Sequence, residues 1–333
     1  MIGPNWWNSN TDGHSPDERE QIEGRLRFAG RLWICARPCD GLDRGLRVAV
    51  TDQTEAEAGR IAAAFAQAIA LGAAQEGATA PNPAVGCVLL DAQGAVLVAA
   101  AHLGAGQPHA EARAIAMARA AGVEAAIHTA VVTLEPCNHT GRTGPCSEAL
   151  LATPVRVVWY ALPDPNLPAA GGADRLRAAG LAVHALPDLP HPARDDLLAK
   201  ARRLLAPFAS RVQRGRPFVT VKQALNAQGS MIPPAGQKTF TTAASLLLAH
   251  QLRRRADAIL TGSGTVLADT PSFTVRHLPD IAGKIRHLSL LDRRGRIAPA
   301  YLDQARANGF IPHIETDLTQ ALQALAALGC NEV

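Results

Sequence analysis

A histidine and a glutamate two positions apart, His109 and Glu111 in PHAEARAIA, precede Cys137 in TLEPC and Cys146 in TGPC. One His and two Cys fill three positions of a tetrahedral Zn2+, and the fourth stays open for water, as a catalytic zinc site requires. Zinc lowers the pKa of such a water towards neutrality. Glu111 then takes a proton from the water and hands it to a leaving amine. This is the H-x-E plus P-C pattern of zinc deaminases, in which the Glu is not a ligand. A purely structural zinc more often has four protein ligands and would leave Glu111 without a role.

Three elements must position these groups. The pattern predicts an Ala-rich helix over 109–121 closed by Gly122, a short buried strand over 130–134 leading to Cys137, and a helix over 145–152 with Pro145 in its first turn and Cys146 at its start. Helix starts present free N–H groups and a partial positive charge, which favours the thiolate a metal needs. Around this set the text reads as a helix over 55–72, strands over 83–90 and 94–101 joined by a D-A-Q-G turn, a strand over 155–162, a helix over 172–179 and a strand over 181–186. Strands alternating with helices mean an α/β structure with helices on both faces of the sheet. Cys87, inside an apolar strand, reads as buried packing, and His102 and His128 read as surface or core residues without catalytic work.

PDLPHPARDD (187–196) is a composition break, and a basic helix follows to about Phe208. A second series then begins with a strand FVTVKQAL, a helix TAASLLLAHQLRRR and a strand DAILTG. The expected organisation is an N-terminal extension of unknown structure over 1–50, a zinc-dependent deaminase domain over 51–190, a linker and basic helix over 191–209, and a second domain over 210–333. Cys35 and Cys39 form a C-x3-C pair with no further ligands beside them and read as unrelated thiols.

With 333 residues and 47% hydrophobic composition, each of two domains has enough apolar material for a core. The net charge of +4 is spread along the chain, so nothing demands a nucleic-acid partner, and a small anionic substrate suits it equally well. Six Cys whose spacing does not form a dense disulfide framework, in a long chain, read as reduced thiols in a cytoplasmic protein. No apolar run approaches the ~18 residues of a membrane span, and the first residues lack a signal-peptide pattern.

Residues 51–190 closely resemble the deaminase domain of the bifunctional riboflavin-biosynthesis deaminase/reductase family, through PNPAVGCVLL, PHAEARAIA, TLEPCNHTGRTGPC and DPNLPAAGGADRLRAAGL. Ordinary cytidine and tRNA deaminases carry P-C-x-x-C, whereas here eight residues with a GRT separate Cys137 from Cys146. The resemblance implies a cytidine-deaminase-like three-layer α/β/α domain. Its implied substrate is a pyrimidinone carrying ribose 5-phosphate that loses its 2-amino group as ammonia. It sets Asn82 against the substrate ring and His139, Arg142 and Thr143 near the ribose phosphate. The second half resembles the family's dihydrofolate-reductase-like α/β domain, which uses NADPH, through RPFVTVKQAL, QLRRRADAILTGSGTVLADTPSFTVR and LLDRRGRI. By position, Ala224, Thr265 and Asp269 match its NADPH contacts, and Arg253, Phe273 and Arg276 its contacts to the phosphorylated substrate.

There are departures. NAQG (226–229) stands where the family reads S-L-D-G, placing Gln228 at an Asp position, and Phe240 replaces a Trp. The chain stops at LGCNEV, where the family continues into an acidic, Gly-containing segment, so the second domain is expected to be incomplete and its reduction step doubtful. The alternatives are a deaminase alone, with the second domain as scaffold or homo-oligomer interface; a nucleic-acid-editing deaminase, which predicts a basic stripe and exposed aromatics that are not evident; and a zinc-binding scaffold.

Overall fold

The structure, a computed structural model, describes residues 43–140, 144–231 and 241–333. The expectations for Cys35, Cys39, Arg142, Thr143 and Phe240 lie outside these residues. Residues 51–333 form one compact unit.

The first sheet has five strands in the order β2-β1-β3-β4-β5. They are β1 (Gly86–Leu90), β2 (Val96–Ala101), β3 (Thr129–Leu134), β4 (Val157–Leu162) and β5 (Ala182–Ala185). β1 pairs antiparallel with β2 and β3, while β3, β4 and β5 run parallel. The hairpin between β1 and β2 is tied by Asp91, whose carboxylate accepts from the Gln93 and Ala95 N–H groups at 2.9 and 2.8 Å. Such an Asx turn is why Asp opens the D-A-Q-G sequence.

Successive side chains of a strand point to opposite faces, so each central strand feeds two cores. Cys87 and Leu89 of β1 and Ala130 and Val132 of β3 pack on one face against the helices α2 (Ala110–Ala120), α3 (Cys146–Leu151) and α4 (Gly172–Ala178). Val88 and Leu90 of β1 and Val131 of β3 pack on the other face against α1 (Asp43–Ala73) and α5 (Arg194–Arg214). All six residues of β3 are buried, which suits its mostly apolar, β-branched sequence, and the hydroxyl of buried Thr133 accepts the Gly86 N–H at 3.1 Å. The result is the three-layer α/β/α arrangement expected for the first domain.

The sequence sets a linker and basic helix over 191–209, between two domains; α5 runs on to Arg214 and is a packed part of this core. Leu197, Ala201 and Leu204 meet Phe65 and Leu186, and Leu205 reaches the opposite core cluster. Its Arg and Lys residues mask a buried apolar stripe at helical spacing, the ordinary look of an amphipathic helix.

The second sheet is parallel, in the order β6-β7-β8, with β6 (Ala258–Gly262), β7 (Arg286–Leu291) and β8 (Phe310–Glu315). Helices α6 (Ala243–Arg255), α7 (Ser263–Asp269), α8 (Pro299–Ala307) and α9 (Leu318–Ala327) accompany it. The strand expected over FVTVKQAL does not form. Phe218 makes a single bridge with Glu332, closed by Phe218 N–H to Asn331 O, Thr220 N–H to Val333 O and Val333 N–H to Phe218 O. Past Thr220 no strand runs beside the segment among the described residues, and Val221 and Leu225 are exposed. A β-rich composition becomes a strand only where a partner edge exists.

Candidate active site

β3 and α2 converge where the sequence places its metal ligands. His109 is the N-cap residue of α2, Cys137 follows β3, and Cys146 is the first residue of α3. Their ligating atoms all lie within 4.8 Å of one another. His109 Nδ1 is 3.6 Å from Cys137 Sγ and 3.4 Å from Cys146 Sγ. At the usual Zn–N and Zn–S bond lengths a tetrahedral ion separates such atoms by about 3.6 Å, so the donor set and its spacing fit zinc.

The electrostatics point the same way. The hydrogen bond from the Cys146 thiol, against the opposing desolvation and with help from His109, holds the Cys137 thiol well below the usual thiol range. The backbone N–H of Cys146, at the start of α3, also donates to Cys137 Sγ at 3.4 Å. Cys146 is pushed up, first by that thiol–thiol bond and then by burial. A metal dication bound by these residues would displace the thiol protons, since thiolates are the ligating form. Glu111 is 4% exposed. Burial, and next the charge of Cys137, push its carboxyl up to about 7.

His109, Glu111 and Cys137 line a cleft of about 260 Å³. Asn82 is on its wall, and so is His139, which is exposed. His102, read from the sequence as having no part in the site, lines the same cleft and is 2% exposed. Its Nδ1 lies 3.0 Å from the Pro108 carbonyl, which can only accept, so Nδ1 carries the proton. Nε2 then accepts from Asn82 Nδ2 at 3.1 Å and fixes the orientation of that amide. The His102 ring also meets the His109 ring edge to face at 5.4 Å between centroids. The signal was a His at the end of β2 rather than a motif, and only the β1–β2 pairing brings it to Asn82.

Other lining residues also escaped sequence reasoning. Glu135 accepts from the backbone N–H groups of Asp164, Gly171 and Ala173 at 3.2, 3.1 and 3.1 Å, stitching the loop after β3 to the loop after β4. That stitch forces close contact. A Cβ on Gly172 would stand 1.7 Å from the Pro136 carbonyl oxygen, so only glycine fits beside the Pro136–Cys137 turn. Asp164 and Asn166 face the cleft from that loop, and burial raises the Asp164 pKa. Phe208 and Arg211 reach it from α5, one turn apart, with the guanidinium 5.6 Å from the ring centroid.

In the second domain the structure gathers Arg253, Phe273 and Arg276. The Arg253 guanidinium lies 6.0 Å from the Phe273 ring centroid and donates to Thr274 O at 2.9 Å. The Arg276 N–H donates to His250 Nδ1 at 3.1 Å. Thr270 and Phe273 hold positive φ values of 43° and 53°, a costly backbone for non-glycine residues that is found most often at functional sites. Thr265 and Asp269 lie exposed on α7, one turn apart, while Ala224 sits half-buried on the extended segment after Phe218.

Comparison with known proteins agrees with both halves. Residues 62–162 match the cytidine and deoxycytidylate deaminase zinc-binding region, and residues 217–333 match the RibD C-terminal domain. The expectation of a shortened second domain draws no support from the latter match. The riboflavin biosynthesis protein RibD of Mycobacterium tuberculosis is 41% identical over 204 residues, covering 60% of this chain and 56% of that protein. The chain thus spans little more than half the length of that relative. RibD of Corynebacterium ammoniagenes is 36% identical, covering 81% of this chain and 77% of that protein. Among solved structures, Acinetobacter baumannii RibD superposes with a TM-score of 0.68 at 31% identity, covering 83% of this chain and 80% of that one. The diaminohydroxyphosphoribosylaminopyrimidine deaminase/5-amino-6-(5-phosphoribosylamino)uracil reductase of Thermotoga maritima superposes at 0.70 with 26% identity, over the same shares of the two chains. No helix among the described residues is long and apolar enough to cross a membrane. With a zinc-binding deaminase region, a second domain of matching type and a common fold over 83% of its length, the chain belongs to the RibD family of riboflavin biosynthesis proteins.

Proposed function

We propose that this chain deaminates 2,5-diamino-6-(5-phosphoribosylamino)pyrimidin-4(3H)-one by hydrolysis, with His109, Cys137 and Cys146 as zinc ligands and Glu111 as the proton carrier. The observation that carries this reading is the cluster itself: three ligating atoms within 4.8 Å, beside a buried carboxylate, in the wall of a cleft. Zinc held there supplies a water acidic enough to attack near neutral pH. Glu111, raised to about 7, is suited to take the proton of the attacking water and deliver it to the amine that departs as ammonia. Asn82, oriented by His102, presents its remaining amide groups to the pyrimidine ring. His139 serves the ribose phosphate from the rim, with Arg142 and Thr143 in the same role.

The second half completes the reading as an NADPH-dependent reductase of the ribosyl group. Arg253, Phe273 and Arg276 take the phosphorylated substrate, and Ala224, Thr265 and Asp269 the cofactor, with turnover weakened by Gln228 in place of an Asp. Homo-oligomerisation through this domain fits the exposed apolar side chains of Val219, Val221, Leu225 and Leu248.

Ammonia release from the phosphorylated diaminopyrimidinone, read beside zinc content, tests the first activity. Cys137→Ala should lose most zinc, whereas Glu111→Gln should keep it and lose about 10²–10⁴-fold in rate. Full zinc in the first variant, or parental activity in the second, would overturn the assignment. NADPH oxidation after supplying the deaminated product measures the second activity.

A further inference from the structure

The two domains meet at the wall of the zinc-ligand cleft, and one side chain of the second domain bonds three groups of the first. Asn331 is 7% exposed. Its Oδ1 accepts from Arg211 Nε at 2.7 Å, and its Nδ2 donates to the carbonyls of Asn82 at 3.1 Å and Pro81 at 3.3 Å. Arg211 Nη2 donates to the same Pro81 carbonyl at 2.7 Å, closing a ring of hydrogen bonds. Pro81, Asn82 and Arg211 all line the cleft.

We propose that Asn331 is a positioning residue for the first domain's cleft, holding the Pro81–Asn82 lip and the Arg211 guanidinium from the second domain. The inference rests on the deaminase reading above for its kinetic consequence. Its geometry has three parts. First, Pro81 and Asn82 belong to the connection between α1 and β1, outside any sheet, so their carbonyls must find donors elsewhere. The ring of bonds supplies them. Second, Asn82 is held at both ends, with its side chain on His102 and its carbonyl on Asn331, so its amide has one orientation towards the cleft. Third, Asn331 is itself rigidly seated. Its N–H donates to Asp257 Oδ2 at 2.8 Å, its carbonyl accepts from Phe218 N–H at 2.8 Å, and Asp257 is held by Lys284 at 3.1 Å. The hydrogen bonds of Arg211 go to neutral acceptors, so its charge stays available to the cleft and the set of its fork decides how it meets an anionic substrate.

The test compares the zinc-loaded full chain with Asn331→Ala, Asn331→Asp and Glu332→Gln. Asp fills the volume of Asn and keeps an oxygen for Arg211, but it offers carboxylate oxygens in place of the donor that the Pro81 and Asn82 carbonyls need, so it tests the hold on the lip apart from packing. Glu332 is a neighbour at the same chain end, bonded to Arg255 and Thr220 and outside the ring, so Glu332→Gln controls for loosening of that end. Two readouts are taken. One is hydrogen–deuterium exchange over residues 79–86, which needs no substrate. The other is the kcat and KM of ammonia release at matched zinc content. Both Asn331 variants should speed exchange in that segment about tenfold or more, and raise KM on the order of tenfold with kcat reduced less. Glu332→Gln should leave KM and the exchange of that segment as in the parent. Unchanged exchange in Asn331→Ala, rescue by Asn331→Asp, or an equal effect from Glu332→Gln would each overturn the positioning role. A parent that binds zinc but releases no ammonia would defeat the deaminase reading alone, since exchange still judges the ring.

Discussion

His250 shows how much one side chain's protonation can carry. It is 3% exposed, and its Nδ1 accepts the Arg276 N–H, which requires an unprotonated nitrogen. Burial, then Arg253, His277 and Arg276, hold its pKa down to about 4. In the unfolded chain a histidine titrates near 6.5. Below that value the unfolded state binds a proton that the folded state refuses, so stability is whole above about pH 6.5 and is lost as pH falls towards 4. Denaturant melts of the full chain between pH 7.5 and 4 should show this loss, and His250→Gln, which keeps a neutral acceptor, should shrink it. An unchanged slope in the variant would mean that other groups set the profile. At the same scale the metal ligands were legible as a motif, because a His, a Glu and two Cys in that order have few other uses. His102 was not, because a single histidine at a strand end carries no pattern.

Elements, rather than single residues, carry the ligands into range. Gly172 opens α4 against the Pro136 carbonyl, and any Cβ there must push the turn that holds Cys137. Gly172→Ala is therefore expected to cost about 1–3 kcal/mol or more as overpacking. It should also weaken zinc binding in a chelator competition, whereas a variant with parental affinity would show that the turn can yield. The helix α5 works from the opposite face. Leu204 is 5% exposed among first-domain residues, and Leu204→Ala should cost about 2–5 kcal/mol. Urea melts measure this, and a cost under about 0.5 kcal/mol would return the helix to the role of linker. The helical periods were readable because apolar residues recur at fixed spacing. The partner of each face was not, because an amphipathic stripe specifies that it will be buried and not against what.

Across the whole of residues 51–333, the segment that carries Asn331 and Glu332 is fastened by buried charge. Lys284 Nζ meets Asp257 at 3.1 Å with both side chains nearly buried, and Asp257 also accepts the N–H groups of Asn331 and Glu332. Desolvation lowers the Lys284 pKa, and the attraction of Asp257 opposes that. Lys284→Met would leave a carboxylate buried with only backbone donors, at a cost of about 3–5 kcal/mol. If that segment braces the cleft, the same variant should also raise KM for ammonia release. Calorimetry and kinetics read the two effects separately, and a loss of stability with KM untouched would confine the ion pair to the second domain.

The sequence by itself determined the chemistry-bearing residues and the order of strands and helices around them, because each of these is local: a spacing, a period or a turn residue. Gly94, at φ 81° in the hairpin after Asp91, and Pro145 ahead of α3 act within a few residues of themselves. The tertiary structure decided what depends on distant partners. FVTVKQAL has the composition of a strand, yet only Phe218 and Thr220 find backbone partners, at the far end of the chain. Arg211 lies past the end that the sequence suggests for the basic helix, and it is set at the cleft wall by a helix that runs on to Arg214 and by Asn331, 120 positions on, which accepts its hydrogen bond. Such pairings are set by how layers and distant segments pack, and no window of sequence contains both sides of them.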